Sequence, residues 1–363
     1  MAKRVSVDRW LFGVTMLMVF AGLMMVFSAS AIMAKERFGS ESSFLVKQGL
    51  FALIGLAAMF ALMKVDYRKL NSQQLVFVTL GVTSLLLAAV FLLDRSHNTH
   101  RWIKLGFFSL QPAELAKPAI ILFMAHFLES RLRSIADLHH TILPAIAPTG
   151  VFCLLIVAQP DLGTAMTCAF ITAAILYVAG IETKYFGYAL ALAVVPMYFL
   201  LFRTAWRARR MVAFVNPFAD PQGAGFHIIQ SLIAVGTGGL TGLGLMEGKQ
   251  KLFYLPEPQT DFIFAVVCEE LGMIGAVLFV AAFAFFCFRG FRVAWNTRDN
   301  FARLLAVGIT AMIGIQAFFN ISVVLGLLPT KGIPLPFVSY GGSSLIVTLA
   351  CVGVLLNITQ QTD

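Results

Sequence analysis

Residues 255–272 read LPEPQTDFIFAVVCEELG. Pro256 and Pro258 keep the first residues out of a regular helix, and from Phe262 an apolar run continues to about Phe286. Such a run crosses a bilayer core, for which about 20 apolar residues suffice. One carboxylate, Asp261, is left where a membrane helix meets water. Thr260 or Asp261 could serve there as a helix cap, tying down a free backbone N–H. Alternatively, Asp261 is a hydrated acid at the centre of a site. Further along the run, Glu269 and Glu270 fall about 12–14 Å from Asp261 at 1.5 Å per residue. An intramembrane acid is either functional or a hydrogen-bonded structural group, and Glu269 lies nearer the Asp261 face.

The rest of the chain is equally apolar. Hydrophobic residues make up 59% and charged residues 12% of its 363 residues, with a mean hydropathy of +0.85. A soluble domain carries about 25% charged residues, so the class is an all-α polytopic integral membrane protein in a single domain, 1–363. Ten spans are expected, at 11–33, 44–63, 75–93, 113–128, 142–158, 162–180, 185–202, 262–286, 304–326 and 341–358. The first run has basic flanks and no small-residue processing site, so it reads as a retained span. Between the seventh and eighth spans lies a long extracytoplasmic loop, 203–261. Its segments RTAWRARRMVAF and FHIIQSLIAV read as amphipathic helices at the membrane surface, and the glycines of TGGLTGLGL read as a flexible link. The five cysteines look like small core residues. No Cys/His cluster suggests zinc, and a net charge of +9 on a membrane protein points to anionic lipid, not nucleic acid.

The basic cluster Lys3, Arg4 and Arg9 puts the N-terminus in the cytoplasm, and ten spans return the C-terminus there. Every odd-numbered connection then faces outward. Those connections hold the unusual motifs: HNTHRWIKLGFFSLQPAELAK (97–117), QPDLGT (159–164), the long loop with Asp261, and LPTKGIPLPFVSYGGSS (328–344). They also hold as much positive charge as the cytoplasmic loops, Arg95 included, which insertion rules do not explain. Either the topology is inverted or the outer charge has a task; the task would be an outward anion site, and a phosphate-bearing lipid is the natural anion at a membrane face. Arg101, Lys104, Arg207, Arg210 and Lys331 are its candidate cations. Trp102 is either a belt residue or a platform for a sugar. Glu114 and Lys117, three apart on one helix face, form an expected ion pair, and Asp161 an expected helix cap.

Taken together, MMVFSAS (24–30), HRWIKLGFFSLQPAELAK (100–117), QPDLGTA (159–165), NPFADPQGAGFHIIQSLIAVGTGG (216–239), YLPEPQTDFIFAVVCEELG (254–272) and LPTKGIPLPFVSYGGSSL (328–345) resemble the SEDS family of bacterial cell-wall polymerases, which includes FtsW and RodA. The resemblance runs nearly the whole chain. It implies a ten-span protein of the bacterial cytoplasmic membrane that polymerises lipid II into glycan strands on the outer face. The family's essential aspartate falls on Asp261, its tryptophan on Trp102 and its Glu/Lys pair on Glu114 and Lys117. Lys331 and MMVFSAS lean toward the FtsW branch and septal synthesis; a RodA-like elongation polymerase is the alternative within the family. Pro258-Gln259 departs from the Ala-His that FtsW-like chains commonly show. The mechanism implied has Asp261 as general base on an acceptor hydroxyl and the cations on the leaving pyrophosphate. A divalent cation could assist, but no carboxylate cluster would hold one tightly.

A lipid II flippase is the competing class. It would need anion contacts on both faces and no essential carboxylate. The resemblance also implies an FtsI-like class B penicillin-binding protein as partner, alongside other division proteins. The chain has no S-x-x-K nucleophile with which to cross-link its own product. The eighth and ninth spans are the expected docking place.

Overall fold

The computed structural model describes residues 7–94, 100–106, 108–252 and 254–361. Lys3, Arg4, Arg95 and residues 97–99 of the third connection lie outside the described residues. The first helix, α1 (Arg9–Phe38), starts where the Asp8 carboxylate accepts the N–H groups of Trp10 and Leu11, and it stops at Gly39 with φ 72°. There follow α2 (Ser43–Lys64), α3 (Gln73–Leu93), α4 (Pro112–Glu129), α5 (Leu143–Ala158), α6 (Leu162–Ala179) and α7 (Thr183–Phe202). Two shorter helices, α8 (Ala205–Val215) and α9 (Phe226–Thr237), precede α10 (Ile263–Asn296), α11 (Asn300–Val324) and α12 (Gly342–Thr359). Among the described residues nine helices are long and apolar enough to cross a membrane, one fewer than expected. The difference is α4. Its 18 residues include Glu114, Lys117 and Glu129, too many charges for an isolated span. Instead it packs among α3, α6 and α11, and Lys117 Nζ donates to Glu114 at 2.7 Å with both side chains buried.

The core runs through α11 and α12, each 78% buried over its apolar window. Small residues let α12 close on α2. A Cβ on Gly342 would meet the Phe51 ring at 2.7 Å, and one on Gly353 would meet the Met59 carbonyl at 2.5 Å. This is the close backbone approach on which packing within lipid relies. At the other extreme α7 buries no residue. Lipid solvates its Leu190, Leu192 and Val194 as well as protein would, so such a helix needs no protein cover. The third connection folds into a hairpin, β1 (Ile103–Leu105) against β2 (Phe108–Leu110), antiparallel with Ile103 opposite Leu110.

Both amphipathic helices of the long loop form as expected. The glycines after them do not act as a flexible link. Helix α10 breaks at Gly272 (φ 64°, ψ −166°), and residues 239–244 lie along the break. Leu243 and Gly244 N–H groups donate to the Glu269 and Glu270 carbonyls at 3.0 Å, while Met273 N–H donates back to the Gly239 carbonyl at 2.9 Å. The approach is tight enough that a Cβ on Gly242 would sit 2.1 Å from the Glu270 carbonyl oxygen, and one on Gly238 1.9 Å from that of Cys268. The carbonyls freed by the break are thus satisfied by the loop.

The two acids beside the break hold the adjoining stretch of the long loop, residues 246–251. Glu269 accepts the Lys249 and Gln250 N–H groups at 2.8 and 3.1 Å. Glu270 pairs with Lys251 Nζ at 2.6 Å, takes the Ser28 hydroxyl at 2.6 Å and the Met246 N–H at 3.1 Å. Both carboxylates and Lys251 are buried. They tie the second half of the long loop to α1 and α10, and so fix where the chain re-enters the bundle at Asp261.

Candidate functional site

Asp261 sits in a turn just ahead of α10, and its backbone is held from two sides. The Asn320 side chain, buried in α11, donates to the Asp261 carbonyl at 2.8 Å and to the Ile333 carbonyl at 2.8 Å. Ser339 Oγ donates to the Thr260 carbonyl at 2.6 Å, and Tyr340 N–H to that of Gln259 at 2.8 Å. The segment 257–261 is therefore riveted to the loop 328–340. The capping alternative does not hold. Phe262 occupies the cap position with no side-chain hydrogen bond, and the Thr260 hydroxyl donates to the Glu257 carbonyl. Gln259 turns away from Asp261, reaching Glu257 at 3.0 Å and Met33.

Three cavities meet at Asp261, which lines all of them together with Gly332. The first, of about 420 Å3, combines Arg101, Arg207, Arg210 and Lys331 with the apolar Leu162, Leu201 and Met211. The second, of about 630 Å3, is lined by Trp102, Phe51 and Tyr340 with Ser109, Gln111 and Ser344, and Arg101 reaches it too. The third, of about 330 Å3, lies under α8 and α9.

Five of the six sequence-predicted substrate-binding residues, Arg101, Trp102, Arg207, Arg210 and Lys331, are brought to these cavities. Lys104 is the exception; it stands exposed on β1, lining none of the three. Arg101 is oriented by donating Nε to the Gln159 carbonyl at 3.1 Å and Nη2 to that of Pro160. Buried Asp94 accepts the backbone N–H groups of Arg101 and Trp102 at 3.0 and 3.2 Å. The guanidiniums of Arg207 and Arg210 both lie over the Trp206 ring, 4.9 and 5.1 Å from its centroid, contacts that hold both arginines in place. Arg207 is only 8% exposed, donates to the Leu200 carbonyl at 3.2 Å, and leaves its buried Nε without a partner. Lys331 Nζ rests 2.7 Å from the Met166 sulfur, a weak acceptor that leaves the ammonium available. Asp161 caps α6 through Thr164, accepting its N–H at 3.1 Å and its hydroxyl at 2.8 Å, while lining the first cavity.

The electrostatics follow from this crowding. Protein surrounds most of Asp261, although part of its surface faces the cavities. Burial first, then the Glu257 and Asp161 carboxylates, pushes its carboxyl up to about 7, with Arg101 and Arg210 pulling back. Burial lowers Lys331 to about 8, with Asp161 opposing and Arg207 assisting. Burial and the Arg101 charge likewise lower Arg210, against Asp261; an arginine stays cationic regardless. Among the described residues no three His, Cys, Asp or Glu side chains gather as metal ligands. The sequence reading missed Asn320, Asp94, Trp206 and Gly332. Asn320 carried a legible signal, a carboxamide that shares a largely apolar span with Gln316; Gly332 carried none.

The model of the cell cycle protein family that spans FtsW, RodA and SpoVE matches residues 8–363. The chain is 44% identical over 343 residues to a probable peptidoglycan glycosyltransferase FtsW of Geobacter metallireducens, covering 94% of this chain and 91% of that one. It is 42% identical over 361 residues to stage V sporulation protein E of Bacillus subtilis, covering 99% of each. Among solved structures it is similar to a chain from work on polymerization and crosslinking by a peptidoglycan synthase complex, at TM-score 0.80, 31% identity and 98% coverage of both chains. It is also similar to the rod shape determining protein RodA of Thermus thermophilus, at TM-score 0.72, 27% identity and 99% coverage of both.

Proposed function

The chain belongs to the FtsW, RodA and SpoVE family of cell cycle proteins, and from that premise we propose that it is a peptidoglycan glycosyltransferase whose general base is Asp261. The carrying observation is the meeting of three cavities at one carboxyl that, among the described residues, no side chain pairs. Lipid II is the substrate. The first cavity, cationic and apolar, suits the pyrophosphate and the start of its lipid. The second, with aromatic faces, neutral hydrogen-bonding groups and the charges of Lys47, Arg101 and Glu257 in its lining, suits the acceptor sugars.

In the reaction Asp261 takes the proton from the acceptor 4-hydroxyl. The oxygen bonds to the donor's anomeric carbon as the bond to pyrophosphate breaks. The electron pair leaves on the pyrophosphate, where Arg101, Arg207, Arg210 and Lys331 meet the charge. One displacement inverts the anomeric carbon. A carboxyl near 7 is matched to this work, since half of it is charged at neutral pH and it still attracts a proton. Glu114, Lys117 and Glu269 support the site from outside the three cavities, and Asp161 supports it by capping α6 at the wall of the first. The division role, rather than elongation, is favoured by the FtsW naming of the relatives.

The site faces outward and both termini lie in the cytoplasm, a reading supported by the N-terminal charge and by ten crossings with α4 counted as the tenth. A class B penicillin-binding protein supplies the cross-linking, seated on α10 and α11. That reading is supported by the neighbouring synthase complex and by the exposed apolar flank of α10, including Met273, Val277, Leu278 and Phe288. The test is purified protein with that partner, incubated with labelled lipid II. Glycan polymer is expected, and none formed by well-folded protein would overturn the reading.

A further inference from the structure

We propose that the third cavity, under α8 and α9, receives the acidic peptide stem carried by the donor sugar, and that Arg209 is its specificity-determining cation. The proposal rests on the glycosyltransferase reading and deepens it. The donor sugar must place three arms around the reacting carbon's ring: the pyrophosphate, the neighbouring sugar and the peptide. Three cavities radiate from Asp261; the first is assigned to the pyrophosphate and the second to the acceptor sugars, which leaves the third for an arm of the donor.

The third differs from both. Its wall has Arg209, Arg210 and Lys331, with Asp220 and Asp261 as the opposing acids and His227 between. Asp220 is committed locally. Its carboxylate accepts the Ala224 N–H at 3.0 Å and lies against Gly223, where a Cβ would meet it at 2.2 Å. His227 stacks on Phe262 at 5.8 Å between ring centroids and 28° between planes. Burial and then Arg210 keep it below its ordinary value, so it is neutral at pH 7 and offers one N–H to a carboxylate. Arg210 and Lys331 are shared with the pyrophosphate cavity, which puts this cavity on the donor side. Arg209 lines this cavity and not the first, stands exposed, and among the described residues makes no hydrogen bond or ion pair. A recess whose cations Arg209, Arg210 and Lys331 outnumber its acids Asp220 and Asp261, walled also by Trp206 and Phe262, fits the free carboxylates of a peptide together with its apolar backbone flank better than a neutral sugar.

The experiment compares two forms of lipid II, one with free stem carboxylates and one with those carboxylates amidated, using purified protein with its transpeptidase partner. For the unaltered chain KM should be about fivefold lower for the free-carboxylate form, the size of one partly exposed ion pair. Arg209→Gln, whose exposed side chain leaves the fold intact, should erase that preference. Equal KM values for the unaltered chain would overturn the proposal. So would an Arg209→Gln variant that weakens both substrates alike, which would assign Arg209 to the pyrophosphate. Absence of polymer from either substrate would instead overturn the glycosyltransferase reading on which this one rests.

Discussion

Gly332 backs directly onto Asp261: a Cβ built on the glycine would lie 2.8 Å from Asp261 Oδ2. Because Asn320 and Ser339 hold the backbone on either side, the carboxyl cannot retreat with its chain. Gly332→Ala should therefore displace the acid within an intact fold. Polymerisation should fall by about ten- to hundredfold, the scale on which a misplaced catalytic group loses rate. Turnover of labelled lipid II beside a thermal unfolding curve separates the two effects. A normal rate would show that the carboxyl tolerates displacement.

Asp261→Asn and Asp261→Ala should abolish polymer while the protein still inserts and folds. Asparagine keeps the size of the side chain and cannot take a proton. Normal polymerisation by Asp261→Asn would end the general-base assignment.

The pH profile should be a narrow bell. The base must be charged, so the rate rises as pH passes about 7, and it falls as Lys331 loses its proton near 8. Lys331→Met should remove the descending limb and leave the ascending one. Stability runs the other way for Asp261. Its carboxyl is raised from 3.8, so its contribution is complete below that value and is lost as pH rises through about 7. An ascending limb near 4 would contradict the burial of this acid.

Neutralising Arg207 together with Arg210, or Lys331 alone, should weaken lipid II turnover by more than tenfold, since charged contacts to a leaving pyrophosphate act in the transition state. Neutralising Lys64 and Arg68, at the opposite end of the bundle, should leave turnover intact once insertion is verified. Equal losses from both sets would point to a transport path through the protein.

Lys251→Met should destabilise the chain by about 3–5 kcal/mol, the cost of leaving a buried partner charge unpaired, because Glu270 would lose its ion pair inside the fold. Adding Glu270→Gln should recover much of the loss. Thermal unfolding in detergent reads both. If the single variant melts as the parent does, the Ser28–Lys251–Glu270 cluster is not what anchors the long loop.

By itself the sequence determined the membrane class, most of the helices and the motifs that the fold brings to the cavities. Apolar runs of span length and the crowding of Arg101, Asp261 and Lys331 motifs into odd-numbered connections are one-dimensional facts. It also marked Asp261 and six cations or aromatics, five of which reach the cavities, because charge near a bilayer is costly wherever it stands. What it could not decide was which groups meet. Gly272 breaks α10 only because residues 239–244 arrive to satisfy the exposed carbonyls, and those glycines look merely flexible until the partner backbone is in place. Asn320 and Gly332 act on Asp261 across long sequence separations, and hydrogen bonds or close contacts between distant segments leave no periodic trace; Asp94 and Trp206 act on near neighbours, but their roles appear only once those neighbours are turned toward the cavities. Lys104 stands beside Arg101 and Trp102 in the chain, yet the β1 hairpin turns it away. The unusual acidity of Asp261 is likewise tertiary, since it comes from burial and from Glu257 and Asp161 closing around it, and burial exists only once the bundle has folded.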